Sequence, residues 1–76
     1  MLKLRKLSGR EVVKILCNKF GFSIKRQKGS HIVLSKLTEF GKVITIVPNH
    51  KEIKTGTFKS ILRLAKIKEE EFLEYT

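Results

Sequence analysis

The chain has 76 residues, which suits one compact domain and is too short for two, because domains usually contain about 50 residues or more. Seventeen Lys and Arg against seven Asp and Glu give a formal net charge of +10, while 41% hydrophobic residues still support a folded core. We therefore expect a single basic domain over residues 1–76, with an open rather than enclosed site and a polyanion such as nucleic acid as its first candidate partner. The sequence has neither a signal-peptide core nor an apolar run near the roughly 20 residues of a membrane span, so we expect a cytoplasmic protein without a membrane partner.

The first predicted element is a helix over about residues 9–20. Ser8 and Glu11 have capping-box spacing, and the apolar residues that follow recur at helical intervals. Gly21 suits the left-handed conformation that ends many helices. Cys17 lies within the apolar pattern, which predicts a buried structural thiol with no assigned chemistry.

Three predicted strands follow, over residues 22–28, 31–35 and 43–47, with Gly29-Ser30 and residues 36–42 as the turns. Placing the most apolar residues on one face predicts their register. The expected pairs are Ile24 with Leu34 and Arg26 with Ile32 in the first hairpin, and Leu34 with Ile44, Ile32 with Ile46 and His31 with Val47 in the second. The opposite face then carries Lys25, Gln27, His31, Val33 and Ser35.

A loop from residue 48 to 54 leads to a second predicted helix, which either Thr55 or Thr57 could cap. Residues 68–75 predict a short terminal helix with acids at its start. The fold class is therefore α+β, with a helix, a three-stranded antiparallel sheet, a second helix and a short C-terminal helix. This is the element order of the double-stranded-RNA-binding domain.

The segment Lys28-Gly29-Ser30-His31 is the first candidate for chemistry. Glycine allows a close backbone approach, a serine hydroxyl can donate to a phosphate oxygen, and histidine is the side chain that exchanges protons near neutral pH. An ordinary hairpin turn followed by an exposed histidine explains the same spacing. His50, in Pro48-Asn49-His50, is a weaker candidate, because a Pro-Asn pair is also a normal strand stop.

Other kinds of site find little support. Cys17, His31 and His50 lack paired metal-ligand spacing, so we expect no metal. The sequence also has no glycine-rich nucleotide loop, no nucleophile elbow and no pair of aspartates for two-metal nuclease chemistry, and we expect no cofactor.

The chain nevertheless resembles a known family. The segments that carry the resemblance are Phe20-Gly21-Phe22, Arg26-Gln27-Lys28-Gly29-Ser30-His31, Val47-Pro48-Asn49-His50, Thr55-Gly56-Thr57-Phe58-Lys59-Ser60-Ile61-Leu62 and Glu71-Phe72. In order and spacing they are similar to the HicA-like toxins of toxin-antitoxin pairs. This resemblance implies a double-stranded-RNA-binding-like fold, ribonuclease activity on mRNA and neutralisation by a HicB-type antitoxin that masks the active site. The family's Gly-Ser-His motif maps onto Gly29, Ser30 and His31, although many members carry a second histidine where this chain has Ile32.

The resemblance thus implies a metal-independent endoribonuclease with His31 as the catalytic residue. Lys25, Lys28, Gly29, Ser30 and His50 are the predicted RNA-binding residues. A non-catalytic RNA-binding module with the same basic surface is the alternative, and a protein that docks on an acidic partner is a third reading.

Overall fold

The computed structural model describes residues 6–76, so the first five residues of the predicted domain lie outside the described part. The elements are α1 (Gly9–Phe20), β1 (Ser23–Lys28), β2 (His31–Thr38), β3 (Gly41–Pro48), α2 (Thr55–Ala65) and α3 (Glu69–Leu73). The three strands form an antiparallel sheet in the order β1-β2-β3. The predicted α+β architecture, like that of the double-stranded-RNA-binding domain, is confirmed.

Local signals set both ends of α1. The Ser8 hydroxyl accepts from the amide of Glu11 at 3.1 Å, and the Glu11 carboxylate accepts from the amide of Ser8 at 2.9 Å. Gly21 follows the last turn with φ +78°, a conformation that costs glycine little. The predicted helix and its capping box are therefore confirmed.

The helices cover one face of the sheet and enclose the core. Burial of apolar side chains there supplies the main stabilisation, at roughly 25 cal/mol for each Å² removed from water. The core residues within the helices and strands are Val12, Val13 and Leu16 from α1, Ile32, Leu34, Val43, Thr45 and Val47 from the sheet, Phe58, Ile61, Leu62 and Ala65 from α2, and Phe72 from α3; Leu7, Phe22, Ile53 and Ile67 complete the apolar core from the connecting segments.

The register of the second hairpin differs from the predicted one by a single residue. The observed pairs are Ile32 with Val47, Leu34 with Thr45 and His31 with Pro48. The turn has only two residues, 39 and 40, because the Thr38 hydroxyl bonds to the backbone of Phe40 and Gly41 and closes it. A slip of one residue reverses every side chain, so the predicted core residues Ile44 and Ile46 lie on the opposite face and are about half exposed, at 47% and 44%.

A β-bulge corrects the predicted first hairpin. Ile24 pairs with Leu34 as expected, but the register shifts before Arg26, which leaves Lys25 as the extra residue. Arg26 therefore lies opposite Val33 rather than Ile32. The predicted pairing with Ile32 would place the charged Arg26 on the apolar face. The bulge moves it to the opposite face.

The open face of the sheet, opposite the helices, combines cationic and apolar side chains. Directly paired residues share a face, so the register places the following residues there: Arg26, Lys28, His31, Val33, Ser35, Ile44, Ile46 and Pro48. Gln27, predicted for this face, pairs with the buried Ile32 instead.

The start of α2 also differs from the prediction. The helix begins at Thr55 and its N-cap is Lys54, which makes no side-chain capping bond. Neither Thr55 nor Thr57 therefore caps the helix. Their side chains are exposed at the end of the loop that follows β3.

Candidate active site

His31 lies at the edge of the open face, as the first residue of β2. It is exposed and is paired with Lys28 on β1 and with Pro48 on β3. The turn before it is tight. Gly29 has φ +60°, and the side-chain amide of Gln27 donates to the Gly29 carbonyl at 3.0 Å. The turn thus places His31 directly opposite Lys28 in the sheet register, with its side chain in contact with solvent.

A main-chain hydrogen bond connects this turn to the loop after β3. The amide of Asn49 donates to the carbonyl of Ser30 at 2.6 Å, which extends the β2–β3 pairing by one residue. His31 and His50 consequently line the same open cleft, whose volume is about 470 Å³. The other lining residues are Ile46, Pro48, Glu52, Ile53, Lys54 and Thr57.

Helix α1 supports the loop that carries His50. The amide of Gly9 donates to the His50 carbonyl at 2.8 Å, and the amide of Ile53 donates to the Leu7 carbonyl at 2.7 Å. A Cβ on Gly9 would collide with the Pro48 carbonyl oxygen, so the first turn of α1 packs directly on the loop backbone. The position of His50 therefore depends on α1 as well as on the sheet.

The structure brings most of the predicted site residues together. Lys28, Gly29 and Ser30 adjoin His31 in the first hairpin, and His50 reaches the cleft from the other loop. Of the predicted site residues, only His31 and His50 line the cleft itself; Lys28, Gly29 and Ser30 lie next to it in the chain, and Lys25 is exposed further along β1 at the β-bulge.

Three polar residues of the cleft were not predicted as site residues. Glu52, Lys54 and Thr57 line it because the loop folds back toward His31. Thr57 was interpreted only as a possible helix cap, although the Thr55-Gly56-Thr57 segment was among those that carried the family resemblance. No spacing between residue 31 and residues 52–57 indicates that they meet.

Cys17 is partly exposed, although it packs against the core, so the prediction of a fully buried thiol is only approximately correct. Burial raises the pKa of this thiol, which makes it a poor nucleophile at neutral pH. Within residues 6–76, no three His, Cys, Asp or Glu side chains converge as a metal site would require.

Comparison with known proteins identifies one family. The family described as "HicA toxin of bacterial toxin-antitoxin" matches residues 9–67, from the start of α1 to just beyond α2. No curated protein and no solved structure gives a significant match. None of the helices described over residues 6–76 is long and apolar enough to cross a membrane.

Proposed function

Because the chain belongs to the HicA toxin family of bacterial toxin-antitoxin systems, we propose that it is an endoribonuclease that cleaves mRNA without a metal, with His31 as its catalytic residue. One observation carries this proposal. The exposed His31 and His50 line one open cleft, with Lys54 in its wall and Lys28 paired to His31. Such a cleft admits an RNA backbone and offers it both cations and groups that can transfer protons.

In the proposed reaction, His31 removes the proton of a ribose 2′-hydroxyl. The 2′-oxygen forms a bond to the adjacent phosphorus while the bond from phosphorus to the 5′-oxygen breaks. His50 gives a proton to the departing 5′-oxygen. The products are a 2′,3′-cyclic phosphate and a free 5′-hydroxyl, and no other reactant is consumed.

Cationic and hydrogen-bonding groups around the cleft offset the charge that develops on the phosphate oxygens. Lys28 reaches them from the strand opposite His31, Lys54 from the loop, and the Ser30 hydroxyl from the hairpin turn. Stabilisation of this kind is usually the largest contribution to catalysis. Lys25, which lies outside the cleft, contacts RNA further along the backbone.

The test is cleavage of a defined RNA by the purified protein in the presence of EDTA. We expect His31→Ala to reduce the rate by about 10²- to 10⁴-fold, the usual contribution of a positioned proton-transfer group. The fold should persist, because exchanges of exposed residues usually change stability by at most about 0.5 kcal/mol. Equal rates for the folded variant and the wild type, or loss of cleavage with EDTA, would refute the proposal.

A non-catalytic RNA-binding module is the second candidate function. It is favoured by the open face, where the exposed Arg26 and Lys28 lie on β1 opposite Val33 and His31. Intact RNA after long incubation, together with binding that weakens steeply with salt, would support this reading.

A toxin of this family implies an antitoxin partner. We propose a HicB-type antitoxin that covers the cleft and the adjoining exposed side chains of Ile44 and Ile46. Neighbouring apolar side chains exposed to water are typical of a protein-binding surface, because a partner removes them from water. Toxin, antitoxin and mRNA would then meet in the cytoplasm.

A further inference from the structure

A second group of cationic and aromatic residues lies at the far end of the sheet from His31. Strand β2 runs from His31 to Thr38, so its ends are separated by about 23 Å at roughly 3.3 Å per residue. The two-residue turn beyond Thr38 carries Phe40, whose side chain is 94% exposed. A ring so accessible is free to contact a ligand.

Three lysines share a cleft with this ring. Lys36, Lys42 and Lys66 line an open cleft of about 240 Å³ together with Phe40, and we call these four residues the hairpin patch. They come from β2, β3 and the end of α2, so only the folded chain assembles them. No part of the proposed reaction uses them.

The hairpin patch is partly fixed in place. The Lys36 ammonium lies 5.2 Å from the centre of the Phe22 ring, a cation-π contact that restrains it. The Thr38 hydroxyl accepts from the amide of Phe40 at 3.1 Å and donates to the Gly41 carbonyl at 2.8 Å. The turn that presents the aromatic ring is therefore already formed before any ligand arrives.

The net positive charge around the ring favours an anionic ligand. Three ammonium groups outweigh the single carboxylate of Glu39 in the turn and the fractional negative charge at the end of α2. An exposed aromatic ring among cations is the arrangement on which proteins bind single-stranded nucleic acid, since a base stacks on the ring while cations hold its phosphates.

We propose that the hairpin patch is a second RNA contact, in which an unpaired base stacks on Phe40 and the flanking phosphates bind Lys36, Lys42 and Lys66. The inference rests on the proposed function for the identity of the nucleic acid. Because only an unpaired base can stack on the ring, the patch would favour unstructured stretches of mRNA over duplex.

The test is binding of a fluorescent 15-nucleotide 2′-O-methyl RNA without secondary structure, measured by anisotropy. The methyl group blocks the attacking oxygen, so the wild-type protein binds this RNA without cutting it. Loss of one base stack should raise the Kd of Phe40→Ala by about 5- to 150-fold. Phe40→Leu should be almost as weak, whereas Phe40→Trp should retain the affinity. Lys42→Gln should lower the salt dependence by about 0.7 in the log-log slope.

Leu37→Ala is the matched control, because Leu37 lies in the same hairpin and is 82% exposed but has no aromatic ring. It should bind RNA like the wild type. The proposal is overturned if Phe40→Ala binds RNA as tightly as the wild type, whether or not it still binds the antitoxin. It is also overturned if Leu37→Ala weakens RNA binding as much as Phe40→Ala does. Cleavage of unmodified RNA is measured separately, so a protein that binds but does not cut refutes the proposed function and leaves the Phe40 comparison decisive.

Discussion

Replacing Gly9 by alanine tests how the loop that carries His50 is held. The added Cβ would collide with the Pro48 carbonyl oxygen and lie 3.0 Å from the Asn49 Cα, and both are backbone atoms that side-chain rotation cannot move. Overpacking of this kind costs about 1–3 kcal/mol. The strain also weakens the hydrogen bond from the Gly9 amide to the His50 carbonyl, which contributes about 1 kcal/mol to stability. The higher helix propensity of alanine offsets a similar amount. We therefore expect a loss of about 1–3 kcal/mol.

Gly56→Ala provides the matched control, because a Cβ there meets nothing within 4 Å and the residue lies in α2. It should stabilise the protein by about 0.4–1 kcal/mol. Urea denaturation followed by circular dichroism measures both changes. In thermal unfolding, each kcal/mol corresponds to a shift in Tm of about 4–8 °C for a domain of this size. If Gly9→Ala proved as stable as Gly56→Ala, the tight contact between α1 and the loop would be disproved.

The same comparison connects packing with chemistry. His50 must move with its loop when the Gly9 contact is strained, so Gly9→Ala should cleave RNA more slowly than Gly56→Ala at a temperature where both are fully folded. Unchanged cleavage would show that the position of His50 is unimportant for the reaction.

Three further outcomes follow from single residues. Because burial raises the pKa of Cys17, less thiolate exists at pH 7, and Ellman's reagent should react more slowly with the folded protein than with protein unfolded in urea; equal rates would contradict this. Thr45→Val removes a buried hydroxyl that donates to the Ile61 carbonyl at 2.8 Å, and should cost about 0.5–1.5 kcal/mol in urea denaturation, whereas a gain in stability would contradict the assignment. Gly29→Val should cost about 1–2 kcal/mol because of the positive φ, and Gly29→Asn clearly less; equal urea midpoints for the two would contradict a backbone origin.

Features with a local cause could be predicted from the sequence. Helix α1 was correct at both ends, because Ser8 and Glu11 form its cap within one turn and Gly21 ends it. The Gly29-Ser30 turn and the exposed position of His31 were also correct, since both depend on neighbouring residues.

The register of β3 could not be predicted, because the deciding contacts are distant in sequence. Hydrophobicity alone favours Ile44 and Ile46 for the core over Thr45. The structure buries Thr45 instead, and the backbone carbonyl of Ile61 in α2, 16 residues away, accepts a hydrogen bond from its hydroxyl. The turn closed by Thr38 then fixes the alignment of the two strands.

The candidate site was predicted only in part for the same reason. The hairpin motif indicated His31, and the Pro48-Asn49-His50 segment gave His50 as a weaker candidate. Glu52, Lys54 and Thr57 reach the cleft through a loop that packs on α1. Such packing has no signature in residue spacing.

The hydrogen bond between Asn49 and Ser30 involves main-chain atoms alone. The side chain of Asn49 can consequently be exchanged without loss of this bond, whereas Ser30 must keep the hydroxyl that the proposed reaction uses. Proline at position 49 is the exception, since it has no amide hydrogen to donate. A variant library could therefore vary position 49 broadly and omit proline alone.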